Sequence, residues 1–144
     1  HLNQKVLITG ANGLIGSEVY KSLSEQPERF DVYGLDRSAL PSVRVSTDRQ
    51  TRIAPGLFYE VDLADFEGVS DACDGMDVVV HLAANPDPDA PWAELLESNI
   101  KGTYHVFEAC RLAGVKRVVY ASSGQTIIGY RLQAPSWVMC LKIT

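Results

Sequence analysis

The sequence predicts an α/β fold, a parallel sheet with helices on both faces. Three observations carry that reading. Short apolar runs, Val6-Leu7-Ile8, Val32-Tyr33-Gly34-Leu35 and Val78-Val79-Val80, are separated by segments with helical spacing of apolar residues. The run DVVVHLAA, Asp77 to Ala84, does not alternate apolar with polar, which suits a central parallel strand covered on both faces. The first run passes through a glycine-rich turn straight into a helix. The chain has 144 residues, one domain's worth, and 46% hydrophobic content supports a real core. A net charge of −5 with no basic cluster argues against nucleic acid as a partner. No apolar run approaches the roughly 18 residues that cross a bilayer. No secretory pattern opens the chain, and the first residue is His1, which suggests a processed start or a tag remnant. Cys73, Cys110 and Cys140 form no C-x-x-C, so buried thiols in a reducing cytoplasm are expected.

The stretch KVLITGANGLIG, Lys5 to Gly16, organises the chain. Val6-Leu7-Ile8 reads as a strand, and Leu14-Ile15-Gly16-Ser17 begins a helix. Between them Gly10, Gly13 and Gly16 form G-x-x-G-x-x-G. Gly10 permits the sharp turn, Gly13 lets a phosphate approach the backbone, and Gly16 lets the helix pack on the sheet. The free N–H groups of that helix face an anionic pyrophosphate. An acid about twenty residues on completes the dinucleotide pattern; here it is Asp36, after the second apolar run. Its carboxylate is expected to accept from the adenosine ribose hydroxyls, the alternative being a strand-ending turn. A carboxylate there repels a 2′-phosphate, which favours NAD; Arg37 beside it keeps NADP as the lesser option.

The remaining elements follow in order. Helix one runs from about Leu14 to Ser24 with Ile15, Val19 and Leu23 on one face, and Pro27 stops it. Phe30 to Leu35 is strand two. Residues 38–55 are polar and broken by two prolines. They read as a surface loop with solvated arginines, where Val43 and Val45 offer at most a short edge strand. Leu57 to Val61 is strand three, ending at Asp62-Leu63. Asp62 and Asp65 compete to cap helix three, which Phe66, Val69 and Cys73 mark. His81, inside the apolar fourth strand, is read as a satisfied core residue rather than a catalytic base. Leu82-Ala83-Ala84 ends that strand with small residues. The loop NPDPDAP, Asn85 to Pro91, lies on the ligand side rather than at a metal. Trp92 to Ala113 reads as one long helix with a buried stripe of Trp92, Leu96, Ile100, Thr103, Phe107 and Cys110, stopped by Gly114. Arg117 to Ala121 is strand five, delivering Ser122 and Ser123, which on their own chemistry would be a turn.

Taken together, Thr9-Gly16 (TGANGLIG), Asp62-Leu63, His81-Leu82-Ala83-Ala84, Asn99 with Gly102-Thr103, and Tyr120-Ala121-Ser122-Ser123 resemble, in order, the motifs of the extended short-chain dehydrogenase/reductases, the NAD-dependent epimerase/dehydratase family. The resemblance covers about residues 4–130. It implies a Rossmann-like, doubly wound parallel sheet ordered 3-2-1-4-5, and NAD as cofactor, with NADP less expected. It places Gly10, Asn12, Gly13, Leu14, Ile15, Gly16, Asp36 and Arg37 around the cofactor. Asp62 and Leu63 lie against adenine, and Leu82, Ala83 and Ala84 against the nicotinamide-side ribose and phosphate. Asn99 holds the cofactor side of the active site, Ser122 lines it, and Ser123 is the catalytic serine that meets the substrate hydroxyl. It also implies an oxidoreductase acting on a sugar or related hydroxyl substrate, and a homodimer. The loop GQTIIGY, Gly124 to Tyr130, resembles the uronate-dehydrogenase-like branch.

The resemblance stops at the family's Tyr-x-x-x-Lys pair. Tyr130 is followed at the fourth position by Ala134, and none of the other tyrosines has a lysine there. Residues 1–131 are therefore read as the NAD(P)-binding domain, cut or diverted after strand five, with 132–144 an unassigned tail and the substrate-binding region absent. A catalytically silent nucleotide-binding module is the alternative.

Overall fold

A computed structural model describes residues 3–124; Tyr130 and the tail 132–144 lie outside them. Five strands form one parallel sheet in the order β3-β2-β1-β4-β5. They are β1 (Gln4–Thr9), β2 (Phe30–Asp36), β3 (Phe58–Glu60), β4 (Val78–His81) and β5 (Arg117–Tyr120). β1 is central, pairing Val6 with Val32 on one side and with Val78 on the other. The chain first winds outward through β2 and β3, then crosses back to place β4 on the other side of β1. The carboxyl ends of β1 and β4 therefore flank the point where the winding reverses, the place where such sheets leave a crevice.

Helices divide between the two faces. α1 (Leu14–Ser24) covers Val6, Ile8 and Val32. α2 (Phe66–Cys73) and the helix ending in α4 (Gly102–Ala113) cover Leu7, Leu35 and Val79. The larger core lies on this second face, where Val69, Cys73, Val106 and Ala109 are fully enclosed. At the amino ends of the strands, Asp77 accepts from the Lys5 N–H at 2.9 Å and from the Lys116 ammonium at 2.7 Å, tying together the starts of β1, β4 and β5.

Two expectations about local structure need correction. In α1 the buried side is Gly16, Ser17 and Tyr20, with Val19 and Leu23 only half-buried, and Ile15 is 62% exposed. The turn sits too close to the start of α1 to admit a large side chain there, so Ile15 turns outward. The long helix is not continuous: α3 (Trp92–Leu95) passes into a wider π-type turn over Leu96–Lys101 before α4. Its buried residues are Gly102, Val106, Ala109 and Cys110, while Trp92, Ile100 and Phe107 are exposed. Small side chains let α4 approach the sheet and α2 closely. A Cβ on Gly102 would stand 2.8 Å from the Leu63 Cβ. The expected loop over residues 38–55 is borne out around Val43 and Val45, which form no strand; Val43 is fully exposed and Val45 is buried.

Candidate functional site

The glycine turn is built by contact, not by flexibility alone. Gly10 adopts φ +71°, and a Cβ there would stand 2.8 Å from the backbone of Ala83. The end of β1 can touch the end of β4 only because no side chain intervenes. A Cβ on Gly16 would fall 1.9 Å from the Gly10 carbonyl oxygen. Gly16 thus lets α1 close against the turn itself, a tighter contact than packing on the sheet. Gly13 is the N-cap of α1 in extended conformation, with no side chain capping the helix. The first intrahelical bond is Ser17 N–H to Gly13 C=O at 3.0 Å. The N–H groups of Leu14, Ile15 and Gly16 are therefore the unsatisfied donors of a helix start, carrying its partial positive charge.

These donors open into a cleft of about 570 Å³ at the carboxyl ends of the strands. It is lined by Gly10, Asn12, Gly13, Leu14, Ile15 and Gly16 from the turn, Asp36 and Arg37 after β2, Asp62 and Leu63 after β3, and Leu82, Ala83 and Ala84 after β4. Leu14 and Ile15, exposed and apolar, flank its mouth. The Asp36 carboxylate is fixed by two backbone donors, Asn12 N–H at 3.0 Å and Arg37 N–H at 2.8 Å. Asp65 is the side chain that caps α2, accepting from Gly68 N–H at 3.2 Å. Asp62 instead accepts from Ala64 N–H at 2.9 Å and remains exposed at the cleft. Leu63 is held from behind: its carbonyl accepts from Nδ1 of His105 at 2.6 Å, which makes that nitrogen the protonated one.

Asn99, Ser122 and Ser123 are not among the residues lining this cleft. Asn99 stands behind it, in the π-type turn. Its Oδ1 accepts from the Asn85 N–H at 2.7 Å and its Nδ2 donates to the Asn85 carbonyl at 3.0 Å. Both bonds grip the backbone of one residue, Asn85, in the loop that follows Ala84, and Asn85 does line the cleft. Ser122 and Ser123 are exposed beyond β5, whose end is anchored by Ala121 N–H to the His81 carbonyl at 3.2 Å.

His81 is a core residue. The Thr9 hydroxyl oxygen accepts from the N–H groups of Leu82 and Ala83, each at 3.2 Å, so its proton is left for Nδ1 of His81 at 2.6 Å. Nδ1 is then an acceptor, and Nε2–H donates to Thr103 Oγ1 at 3.1 Å. The ring is neutral, and burial pushes its pKa down to about 4. This network fixes the backbone of Leu82 and Ala83 where they meet Gly10. Sequence reading found His81, and placed Thr9 and Thr103 within motifs, but not their contacts with the ring, because the three lie far apart in sequence.

Sequence reading also missed one wall of the cleft. Ser38, Leu40, Pro41, Ser42, Val43 and Arg44 all line it, in a segment read as plain surface loop. The available signal was position alone: this segment directly follows Asp36. The site as a whole can hold an extended ligand with an anionic centre at the start of α1 and a hydroxyl-bearing group at Asp36. The residues present fit a dinucleotide, since the uncapped start of α1 offers free N–H groups to a pyrophosphate and Asp36 lines the same cleft.

Known proteins resemble this chain in sequence and in fold. The family model described as NAD dependent epimerase/dehydratase family matches residues 6–133. The NAD-dependent glucose-6-phosphate dehydrogenase of Haloferax volcanii is 33% identical over 129 residues, covering 90% of this chain and 47% of the relative. The uronate dehydrogenase of Pseudomonas putida is 34% identical over 130 residues, covering 88% of this chain and 43% of the relative. A solved structure of a mutant uronate dehydrogenase from Agrobacterium tumefaciens, complexed with NAD, is similar with a TM-score of 0.68 at 30% identity, over 85% of this chain and 42% of that one. The chain spans less than half the length of these relatives. With the family model matched from residue 6 to residue 133, the chain belongs to the NAD-dependent epimerase/dehydratase family.

Proposed function

We propose that this chain is the cofactor-binding part of an NAD-dependent oxidoreductase of the epimerase/dehydratase type, acting on a sugar or related hydroxyl substrate. The observation that carries the reading is the uncapped start of α1 opening into a cleft whose far wall presents Asp36. The N–H groups of Leu14, Ile15 and Gly16 take the pyrophosphate. Asp36 accepts from the adenosine ribose hydroxyls, with Arg37 at the rim, and Asp62 accepts from the adenine amine above Leu63. Leu82, Ala83 and Ala84 allow close approach of the second ribose, and Asn99 steadies that edge through Asn85. Ser122 lines the nicotinamide side, and Ser123 hydrogen-bonds the substrate hydroxyl. NAD, when bound, supplies the acceptor for substrate hydride.

Residues 1–131 form one such cofactor-binding unit, and the relatives' activities on glucose 6-phosphate and uronates support a sugar-like substrate. The exposed face of Trp92, Ile100, Tyr104 and Phe107 supports pairing of two chains through this helix. Among the described residues no helix is long and apolar enough to cross a membrane. The buried, unjoined thiols of Cys73 and Cys110, 3.9 Å apart, support a reducing cytoplasm. One observation favours a second reading, a nucleotide-binding module without turnover: no Tyr-x-x-x-Lys occurs in the 144 residues. Calorimetric titration with NAD+ and NADP+ tests the cofactor claim under either reading. The unmodified protein should bind NAD+ more tightly, and Asp36→Ala should shrink the difference. Equal or stronger NADP+ binding by the unmodified protein would overturn the assignment of Asp36.

A further inference from the structure

We infer that Asn12 is a positioning residue that sets discrimination at the ribose 2′ position, by tying the wall after β2 to the glycine turn. The inference rests on the cofactor reading above. Asn12 is 6% exposed and makes three bonds to one short segment. Its N–H donates to Asp36 Oδ2 at 3.0 Å, its Nδ2 donates to the Ser38 carbonyl at 2.6 Å, and its carbonyl accepts from the Ser42 N–H at 2.9 Å. The segment it holds has no strand or helix of its own between Arg37 and Ser46. Its place beside the cleft is therefore set by these bonds, not by a backbone ladder.

Two cations depend on them. Arg37 lies between Asp36 and Ser38, both anchored to Asn12. Arg44 follows Ser42, whose hydroxyl oxygen accepts from the Arg44 N–H at 3.2 Å. Among the described residues neither arginine is in an ion pair. With the wall held, the group that meets the 2′ position is the Asp36 carboxylate. It accepts from a hydroxyl and repels a phosphate bearing about −1.5 to −2 charges. With the Ser38 anchor cut, the wall can shift and bring a guanidinium to the phosphate. Asn12 thereby keeps two available cations from recruiting the wrong cofactor.

The test measures NAD+ and NADP+ affinities by calorimetry for the unmodified chain and for Asn12→Ala. Asn12→Ala should lower the NAD+:NADP+ affinity ratio by about tenfold, the worth of one partly buried hydrogen bond and the carbonyl it leaves unpaired. A general loss of folding lowers both affinities together and leaves the ratio in place, so the ratio separates positioning from mere support. Pro41→Gly loosens the same wall without touching the turn and should move the ratio in the same direction; it decides the matter if Asn12→Ala does not fold. An unchanged ratio in the folded variant overturns this inference while leaving the cofactor reading intact. Failure of the unmodified chain to bind either dinucleotide overturns both.

Discussion

Replacing Gly16 by alanine puts a methyl group where the structure has no room. The new carbon would stand 1.9 Å from the Gly10 carbonyl oxygen and 2.7 Å from the Gly10 carbonyl carbon. Carbon and oxygen rest at about 3.3 Å, so the two must part by roughly 1.4 Å. The obstacle is backbone, not a side chain that can rotate. Gly10 is held by its N–H to the Leu35 carbonyl at 2.8 Å, and its own carbonyl accepts from the Gly13 N–H at 3.0 Å. Overpacking costs about 1–3 kcal/mol, and a rigid neighbour puts this case at the upper end. Alanine returns up to about 1 kcal/mol through its helix propensity. The net loss of about 2 kcal/mol lowers the melting temperature by roughly 7 °C for a domain of this size. Moving the turn also misplaces the N–H groups at the start of α1, which should weaken NAD+ binding by about tenfold or more. Thermal melting and calorimetry of Gly16→Ala are best read beside Gly56→Ala, where an added Cβ meets nothing within 4 Å. If Gly16→Ala melts with Gly56→Ala and keeps full NAD+ affinity, the tight turn is not what shapes the site.

Other consequences follow from named groups. His81 has its folded-state pKa depressed from 6.5 to about 4 by burial, so the native state binds fewer protons than the unfolded chain below the unfolded value. Its contribution is fully present above about pH 6.5 and is lost as pH falls toward 4, up to about 3 kcal/mol; urea unfolding at stepped pH should show this, with a smaller slope in His81→Gln. Thr9→Val leaves the Ala83 N–H and the His81 Nδ1 without their partner, while the Leu82 N–H keeps the Thr9 carbonyl, and should cost about 2–4 kcal/mol in the same assay. The 144-residue chain should give no normal rate of NADH production with uronic acids, aldoses or nucleotide sugars. General acid–base help is worth about 10²–10⁴ in rate, and Ser123 alone is a poor base; robust turnover abolished by Tyr130→Phe would contradict this. Sedimentation should show a dimer or larger species that Trp92→Glu together with Phe107→Glu disperses, and a monomer at high concentration would count against the exposed helix face as a contact.

The sheet order was legible through the family resemblance, and the turn because it leaves a mark on the sequence. Gly10 and Gly16 stand where backbone must meet backbone, and only one residue type meets that requirement. Asp36 was legible by its distance from them. The face of the long helix was not: apolar residues occupy two sides, and periodicity does not say which side packs. The structure buries the side with Gly102, Ala109 and Cys110, because small residues give the closer approach, and leaves Trp92 and Ile100 outside. The wall from Ser38 to Arg44 was hidden for a different reason. It is placed by single hydrogen bonds, Asn12 donating to the Ser38 carbonyl and accepting from the Ser42 N–H, which have no period and no fixed spacing. Asn99 was found as a residue but not as a clamp, since Asn85, whose backbone it grips, is fourteen positions away in sequence.

The central claim is that a dinucleotide lies along the cleft from the start of α1 to Asp36. Amide shifts of the isotope-labelled chain, followed as NAD+ is added, test it most directly. The account predicts the largest changes at Leu14, Ile15 and Gly16, with further changes at Asp36, Leu63, Ala83 and Ala84, and little at the far ends of the strands near Lys5 and Lys116. Shifts gathered away from the glycine turn, or none at saturating NAD+, would contradict it.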